Sequence, residues 1–223
     1  MDVAKASAGM TRKQFWSDPY QTELLTRVRR VEGERVWLDA TIFYAFSGGQ
    51  ESDSGSIGGR PVCAAERQGR DIVYTLAPDH GLQAGAEVAV KIDWPRRYRL
   101  MRLHFAAELV LELICRQAAG AEKIGAHIAE DKARIDFALD QAITALLPAI
   151  AAEAQRLIDA DLPIASAFSD EAAERRYWEL PGFARVPCGG THLKRSGEVG
   201  RIALKRRNLG KGKERVEIYL LDA

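Results

Sequence analysis

The sequence predicts an α+β protein in which a small N-terminal antiparallel β domain is followed by a two-layer α/β domain. Three observations carry that expectation. Between Thr26 and Ile92 apolar residues alternate at period two in short runs broken by Gly, Asp and Pro, the signature of strands joined by tight turns. At Asp93-Trp94-Pro95 the apolar spacing lengthens to that of a helix. Beyond it strands and helices are mixed without an internal repeat.

Residues 1–9 are expected to be a loose extension, residues 10–93 the β-rich domain, and residues 94–223 the second domain. Within the first, residues 35–40, 57–62, 72–76 and 87–92 read as strands, and Thr41 extends the first of these. A helix over 94–119 follows because Asp93 can cap it, Pro95 is tolerated in its first turn, and Leu100, Leu103, Ala107, Leu111 and Ile114 recur on one face. Gly120 ends it. Residues 133–137 alternate as a strand, and the Ala-rich stretch 139–160, interrupted by Pro148, reads as two short helices or one kinked helix. A strand is expected over 161–165, and a short helix capped by Ser169-Asp170 should run through Arg176. The tail from Val199 to Leu221 reads as paired strands joined by a turn at Gly210-Lys211-Gly212-Lys213.

A chain of 223 residues can bury a sizeable core. Its net charge of +1 excludes any argument for nucleic-acid binding from overall basicity, so such a role must rest on local clusters. Two are present: Arg96, Arg97, Arg99 and Arg102 at the start of the helix, and Lys205, Arg206, Arg207, Lys211, Lys213 and Arg215 in the tail. Tyr98 and Trp178 are candidates to stack an unpaired base, or else core aromatics. Three cysteines without a framework of spacings suit a reducing cytosol, with Cys63 and Cys115 expected as buried small hydrophobes. No apolar run is long enough to cross a bilayer, and residues 1–14 lack the apolar centre of a signal peptide, so a cytoplasmic location is expected. There is no dinucleotide fingerprint and no phosphate-binding P-loop, hence no evident ATP site.

The most informative chemistry lies in Cys188-Gly189-Gly190-Thr191-His192, taken together with His104 and Glu108. A thiolate and imidazoles are ligands that Zn²⁺ prefers. His104 and Glu108 stand four apart in a helical pattern, so both project from one face. Two glycines let the second clip fold tightly enough for Cys188 and His192 to converge. One zinc ion per chain is expected if the two clips converge; the alternative is an ordinary buried cysteine and a surface histidine. Zinc with access to water lowers the pKa of that water to about 7, and an ester carbonyl is a suitable target. Glu108 admits three roles: an oxygen ligand, a general base, or an exposed helix glutamate.

The segment Arg99–His104, the clip Cys188–His192 and the glycine-rich Phe46–Gly55 together resemble the editing domain of alanyl-tRNA synthetase. The chain is most similar to the free-standing alanyl-tRNA editing proteins that consist of that domain, over residues from about Met10 to Ile218. Thr41–Tyr44, Gly125–Ile128, Arg134–Phe137 and Gly212–Arg215 add to the resemblance. It implies a zinc-dependent hydrolase acting in trans on seryl- or glycyl-tRNA(Ala). His104, Cys188 and His192 would be ligands and Glu108 a fourth ligand or base. The resemblance further implies that Thr41 senses the serine hydroxyl, that Gly48, Gly49 and Gln50 form a loop over the ester, and that His127 contacts the tRNA terminus. Arg97, Arg102, Lys205, Arg206, Arg207, Lys211 and Lys213 are the candidate tRNA contacts; Thr191 is expected to support the clip loop. Two positions depart from the family pattern: Glu108 stands where the family has a second histidine, and Ala45-Phe46-Ser47 where it has Pro-Glu-Gly. A tRNA-binding module without hydrolysis, and a metal-dependent hydrolase or sensor of small amino-acid compounds, are the rival expectations.

Overall fold

The computed structural model of the chain describes residues 9–139 and 142–221. Two compact units emerge from its contacts. The first takes the chain up to Ser47 and then Ser52–Tyr98; the second takes Gly48–Glu51 and everything from Arg99 onward. The expected first domain, residues 10–93, includes the glycine-rich loop, whereas the packing assigns Gly48–Glu51 to the second unit.

The first unit is β-rich. Strands β1 (Arg12–Lys13) and β4 (Ala40–Thr41) form a short parallel pair. The main sheet joins β2 (Glu23–Glu32), β3 (Arg35–Leu38), β5 (Gly55–Ile57), β6 (Arg60–Pro61), β7 (Ala64–Gln68), β8 (Asp71–Thr75) and β9 (Glu87–Ile92) in the order β6-β5-β9-β2-β3-β8-β7. All its pairings are antiparallel. Alternation works as the sequence suggests: Val88, Val90 and Ile92 are buried along β9 while Glu87 and Lys91 are exposed. The expected strand over 57–62 is instead a tight hairpin, because Gly58 and Gly59 both adopt positive φ, 57° and 75°, and turn the chain back on itself.

Helix α1 (Trp94–Gln117) begins as predicted. The Asp93 carboxylate accepts the Arg96 N–H at 3.2 Å, and Gly120 follows the helix with φ 79°. In the second unit β10 (Glu122–Ile128), β11 (Ala133–Ala138), β15 (Ile202–Gly210) and β16 (Lys213–Leu220) form a sheet in the order β10-β11-β16-β15. The tail hairpin turns where Gly210, Lys211 and Gly212 take φ of 76°, 53° and 69°. A second sheet has the order β12 (Ala165–Asp170), β13 (Arg175–Leu180) and β14 (Ala184–Pro187). Helix α2 (Leu147–Asp159) has Pro148 in its first turn, so that proline opens a helix and does not kink one; residues 140 and 141 of that expected stretch lie outside the described residues.

Two local expectations fail here for physical reasons. The strand predicted over 161–165 begins only at Ala165, since Pro163 has no N–H to donate and makes an isolated bridge to Arg195. The short helix expected through Arg176 is a hairpin turn. Asp170 does accept the Ala173 N–H, but a handful of residues cannot offset helix nucleation, and Glu174 at φ 55° reverses the chain so that β12 and β13 pair. Cys63 and Cys115 are both exposed, correcting their expected burial: Cys63 precedes the edge strand β7 and Cys115 lies on the outer side of α1. No helix among the described residues is long and apolar enough to cross a membrane.

The packing that positions the site runs through Phe105 of α1 and Trp178 of β13. Both are fully buried, and their rings meet edge to face with centroids 5.2 Å apart. Trp178 is thus core. That contact fastens the helix carrying His104 and Glu108 to the sheet that leads into Cys188.

Candidate metal centre

His104 and Glu108 project from one face of α1, as their spacing requires, and meet the loop that leaves β14. Pairing with β13 continues one residue past β14, where Cys188 donates its N–H to the Arg176 carbonyl at 2.9 Å, and the chain then folds back through Gly189 and Gly190. At Gly190 a Cβ would lie 2.1 Å from His104 Cε1. The glycine is required by this close approach, not by an unusual backbone angle.

One donor atom from each of His104, Glu108, Cys188 and His192 lies within 4.8 Å of the others. His104 Nε2 is 3.3 Å from Glu108 Oε1 and 3.4 Å from Cys188 Sγ, and His192 Nε2 is 3.6 Å from Glu108 Oε2. Ligands about 2.0–2.3 Å from a tetrahedral zinc ion stand roughly 3.3–3.8 Å from one another, so these separations suit the ion. The donor set of two imidazoles, a thiolate and a carboxylate is also one that zinc accepts. Glu108 Oε2 and His192 Nε2 are buried and have no hydrogen-bond partner among the described residues. Buried polar atoms normally have a partner, and a shared cation would supply one.

Gln50 sets the proton arrangement on His104. Its Oε1 accepts from the Thr191 N–H at 3.4 Å and its Nε2 donates to Thr191 Oγ1 at 2.9 Å, which identifies the oxygen end of the amide. That oxygen lies 2.6 Å from His104 Nδ1, so Nδ1 carries a hydrogen and Nε2 is left to face Glu108 and Cys188. Gln50 is fully buried, held where its strand-like backbone bridges Ile128 and where Ile128 donates to the Gly49 carbonyl. At Gly49, φ is 91° and a Cβ would stand 2.6 Å from the Ala126 carbonyl oxygen. On the other imidazole, Ser166 Oγ of β12 lies 3.2 Å from His192 Nδ1.

The charges reinforce each other. Burial pulls His104 down, but the Cys188 and Glu108 charges outweigh it and raise it to about 10. His192 is raised for the same reasons. Burial pushes Glu108 up, yet His104 and His192 hold it well below the usual carboxylate range. For Cys188, burial and Glu108 act upward while His104 and His192 bring the thiol down to about 7. The negative groups that draw protons to the imidazoles would equally draw a divalent cation. Beside the cluster lies a small cleft walled by Gly48, His104, Glu108, Ala107, Leu111 and Ile135.

Relatives of known name decide the family. The chain is 33% identical to an alanyl-tRNA editing protein, AlaX-M, of Pyrococcus horikoshii over 95% of this chain and 98% of that one. It is 34% identical to AlaX-M of Saccharolobus solfataricus over 93% and 98%. This chain belongs to the alanyl-tRNA editing protein family. Alanine–tRNA ligase of Ignicoccus hospitalis also matches, 34% identical over 93% of this chain but only 26% of its own length. No protein-family model matches the chain.

The remaining expected site residues are distributed as follows. Gly48, Gly49 and Gln50 join the cluster's unit. Thr41, expected to read a substrate hydroxyl, is fully buried in the first unit, its own hydroxyl 2.6 Å from the Tyr74 hydroxyl and accepting the Phe43 N–H at 3.0 Å. Arg97, an expected tRNA contact, is fully buried, pairs with buried Asp53, and donates to the Ile42 and Pro19 carbonyls at 2.6 and 2.9 Å. Arg102 donates to the Val199 carbonyl at 2.7 Å, and His127 lies 3.1 Å from a Glu51 carboxylate oxygen. In the tail, Arg206 pairs with Glu214 and Arg207 with Glu217, while Lys211 and Lys213 are exposed at the turn and Lys205 lies 4.8 Å from the Tyr219 ring centre. Ser166 and Lys123 were not expected near the site. Neither sits in a motif, and only strand pairing brings them there.

Proposed function

We propose that this chain is a trans-editing hydrolase that deacylates tRNA(Ala) carrying serine or glycine, with one zinc ion held by His104, Cys188, His192 and Glu108. The observation that carries the reading is the convergence of those four donors, two of them buried without partners, in a chain of the alanyl-tRNA editing family. The task has a physical reason. A synthetase pocket built for alanine cannot exclude smaller glycine well, and it rejects an added hydroxyl poorly, so a second hydrolytic site is needed.

Zinc held there would supply Lewis acidity, the means by which such an ion polarises an ester carbonyl and makes water a nucleophile near neutral pH. Glu108 is the fourth donor in this reading, because its two oxygens face the Nε2 atoms of both histidines. Gln50 keeps the His104 proton on Nδ1, and Ser166 faces His192 Nδ1; both orient ligands from behind. Gly48 carries backbone along the cleft without a side chain to fill it, and Ala107, Leu111 and Ile135 make part of its wall apolar. Lys205, Arg207, Lys211 and Lys213, exposed on the tail hairpin, would meet tRNA phosphates, with His127 closer to the terminus. The charges of Arg206 and Arg207 are balanced by Glu214 and Glu217, which leaves these two the weaker candidates there.

Steady-state deacylation of seryl-, glycyl- and alanyl-tRNA(Ala), with and without a chelator, tests the reading. Release of serine or glycine in preference to alanine, lost with the chelator and restored by zinc, is expected. Tight tRNA binding with no release would overturn hydrolysis and leave a tRNA-binding module. Hydrolysis that survives complete removal of metal would overturn the zinc assignment.

A further inference from the structure

Lys123 also lines the cleft beside His104 and Glu108, and the proposed chemistry gives it no task. Its presence there is the product of a β-bulge. Ala126 and Ile128 of β10 line the cleft two residues apart, so unbroken alternation would bring Ile124 to that face and turn Lys123 away. Instead the register with β11 slips, Lys123 pairing with Phe137 and Gly125 with Asp136, so that Ile124 is the extra residue. The slip exchanges the two: Lys123 reaches the cleft and Ile124 is left 46% exposed.

Five other cations packed on this sheet are matched by acids, and Lys205 and Lys213, which among the described residues are not, lie on its tail hairpin away from the lining of the cleft. Lys132 and Arg207 pair with Glu217, Arg134 and Arg215 with Asp136, and Arg206 with Glu214. Lys123 makes no ion pair among the described residues. An exposed cation lining a cleft whose acid, Glu108, is turned to His104 and His192 calls for an anion brought by a ligand.

On the editing reading, the aminoacyl group itself offers Lys123 none: its ester is neutral and its amino group is a cation. The first anion along the substrate from the ester is the phosphodiester on the 5′ side of the terminal nucleoside. We infer that Lys123 binds this terminal phosphodiester and so sets how far the 3′ end enters the cleft. The inference rests on the editing reading, but its test does not require hydrolysis.

The zinc-loaded full chain is titrated calorimetrically with the dinucleotide CpA, with adenosine, and with free serine. CpA should bind the wild type more tightly than adenosine. Lys123→Ala should weaken CpA about fivefold, the value of one partly solvated charge contact, while adenosine is unchanged and Lys123→Arg retains CpA. The salt dependence of CpA binding should flatten in the alanine variant. Unchanged CpA affinity in Lys123→Ala, or no measurable binding of CpA by the wild type, would overturn the inference. Weakened binding of serine alone would also overturn it, assigning Lys123 to the product carboxylate. Failure of the wild type to release serine from seryl-tRNA would count against the editing reading, whereas Lys123-dependent CpA binding would still support this site.

Discussion

His192 Nε2 and Glu108 Oε2 face each other 3.6 Å apart inside the protein, and neither has a hydrogen-bond partner among the described residues. The gap is too long for a hydrogen bond, yet both atoms are cut off from water. Two desolvated groups held at that separation are stable together when a third, positive group lies between them.

Glu108 should therefore be needed for metal retention. Glu108→Gln leaves a neutral amide oxygen, a poor ligand, and is expected to lower zinc content, whereas Glu108→His should keep close to one zinc per chain by elemental analysis. If Glu108→Gln instead keeps full zinc while the chemical step falls by about 10²-fold, Glu108 is a general base and not a ligand.

Gln50 acts on the metal through His104. Gln50→Ala removes the acceptor at Nδ1 and frees the ring to turn, so zinc affinity should fall by about 10- to 100-fold in chelator competition. Gln50→Glu retains an acceptor and should bind more tightly than the alanine variant. Equal affinity of wild type and Gln50→Ala would remove the positioning role.

Gly190→Ala tests the closeness of the clip. The new Cβ would stand 2.1 Å from His104 Cε1, so the ring or the loop must move. Zinc affinity should fall by at least about tenfold, as for other losses of ligand orientation, with little change in far-ultraviolet dichroism. The same substitution at Gly189, whose Cβ would meet nothing within 4 Å, should be tolerated better.

Arg97 and Asp53 form a fully buried pair. Arg97→Met leaves the Asp53 carboxylate buried and alone, a loss of about 3–5 kcal/mol in urea denaturation. A normal denaturation midpoint together with weakened tRNA binding would return Arg97 to the nucleic-acid face.

Acid stability has an identifiable source in Glu217. Burial pushes its carboxyl up, but hydrogen bonds from Lys132, Arg207 and Tyr219 outweigh that and hold it at about 2, below the ordinary 4.5. A carboxyl depressed in the fold contributes stability that is complete above its unfolded pKa and is lost as pH falls toward its folded one. Denaturation midpoints should decline between about pH 4.5 and 2, and Glu217→Gln should be less stable at neutral pH with a shallower decline in that window. Parallel pH profiles for the two proteins would exclude Glu217 as the source.

Much of this protein is written in short-range spacing. The i, i+4 pair His104–Glu108, the clip Cys188–His192, the cap at Asp93 and the glycine-rich tail hairpin are local patterns, and local geometry alone makes each of them. What the local pattern could not determine depends on partners distant in the chain. Glu108 is a candidate ligand and no surface glutamate only because Trp178 against Phe105 fastens α1 to the sheet that delivers Cys188. Gln50 becomes the partner of His104 across 54 residues, and Arg97 is withdrawn from the surface by Asp53, 44 residues away. The Ser169–Arg176 stretch, helical by its own propensity, is a turn because β12 and β13 pair around it. Lys123 is the sharpest case: alternation turns it away from the cleft, and a one-residue slip against β11 brings it in, since period two reverses every side chain when the register moves by one.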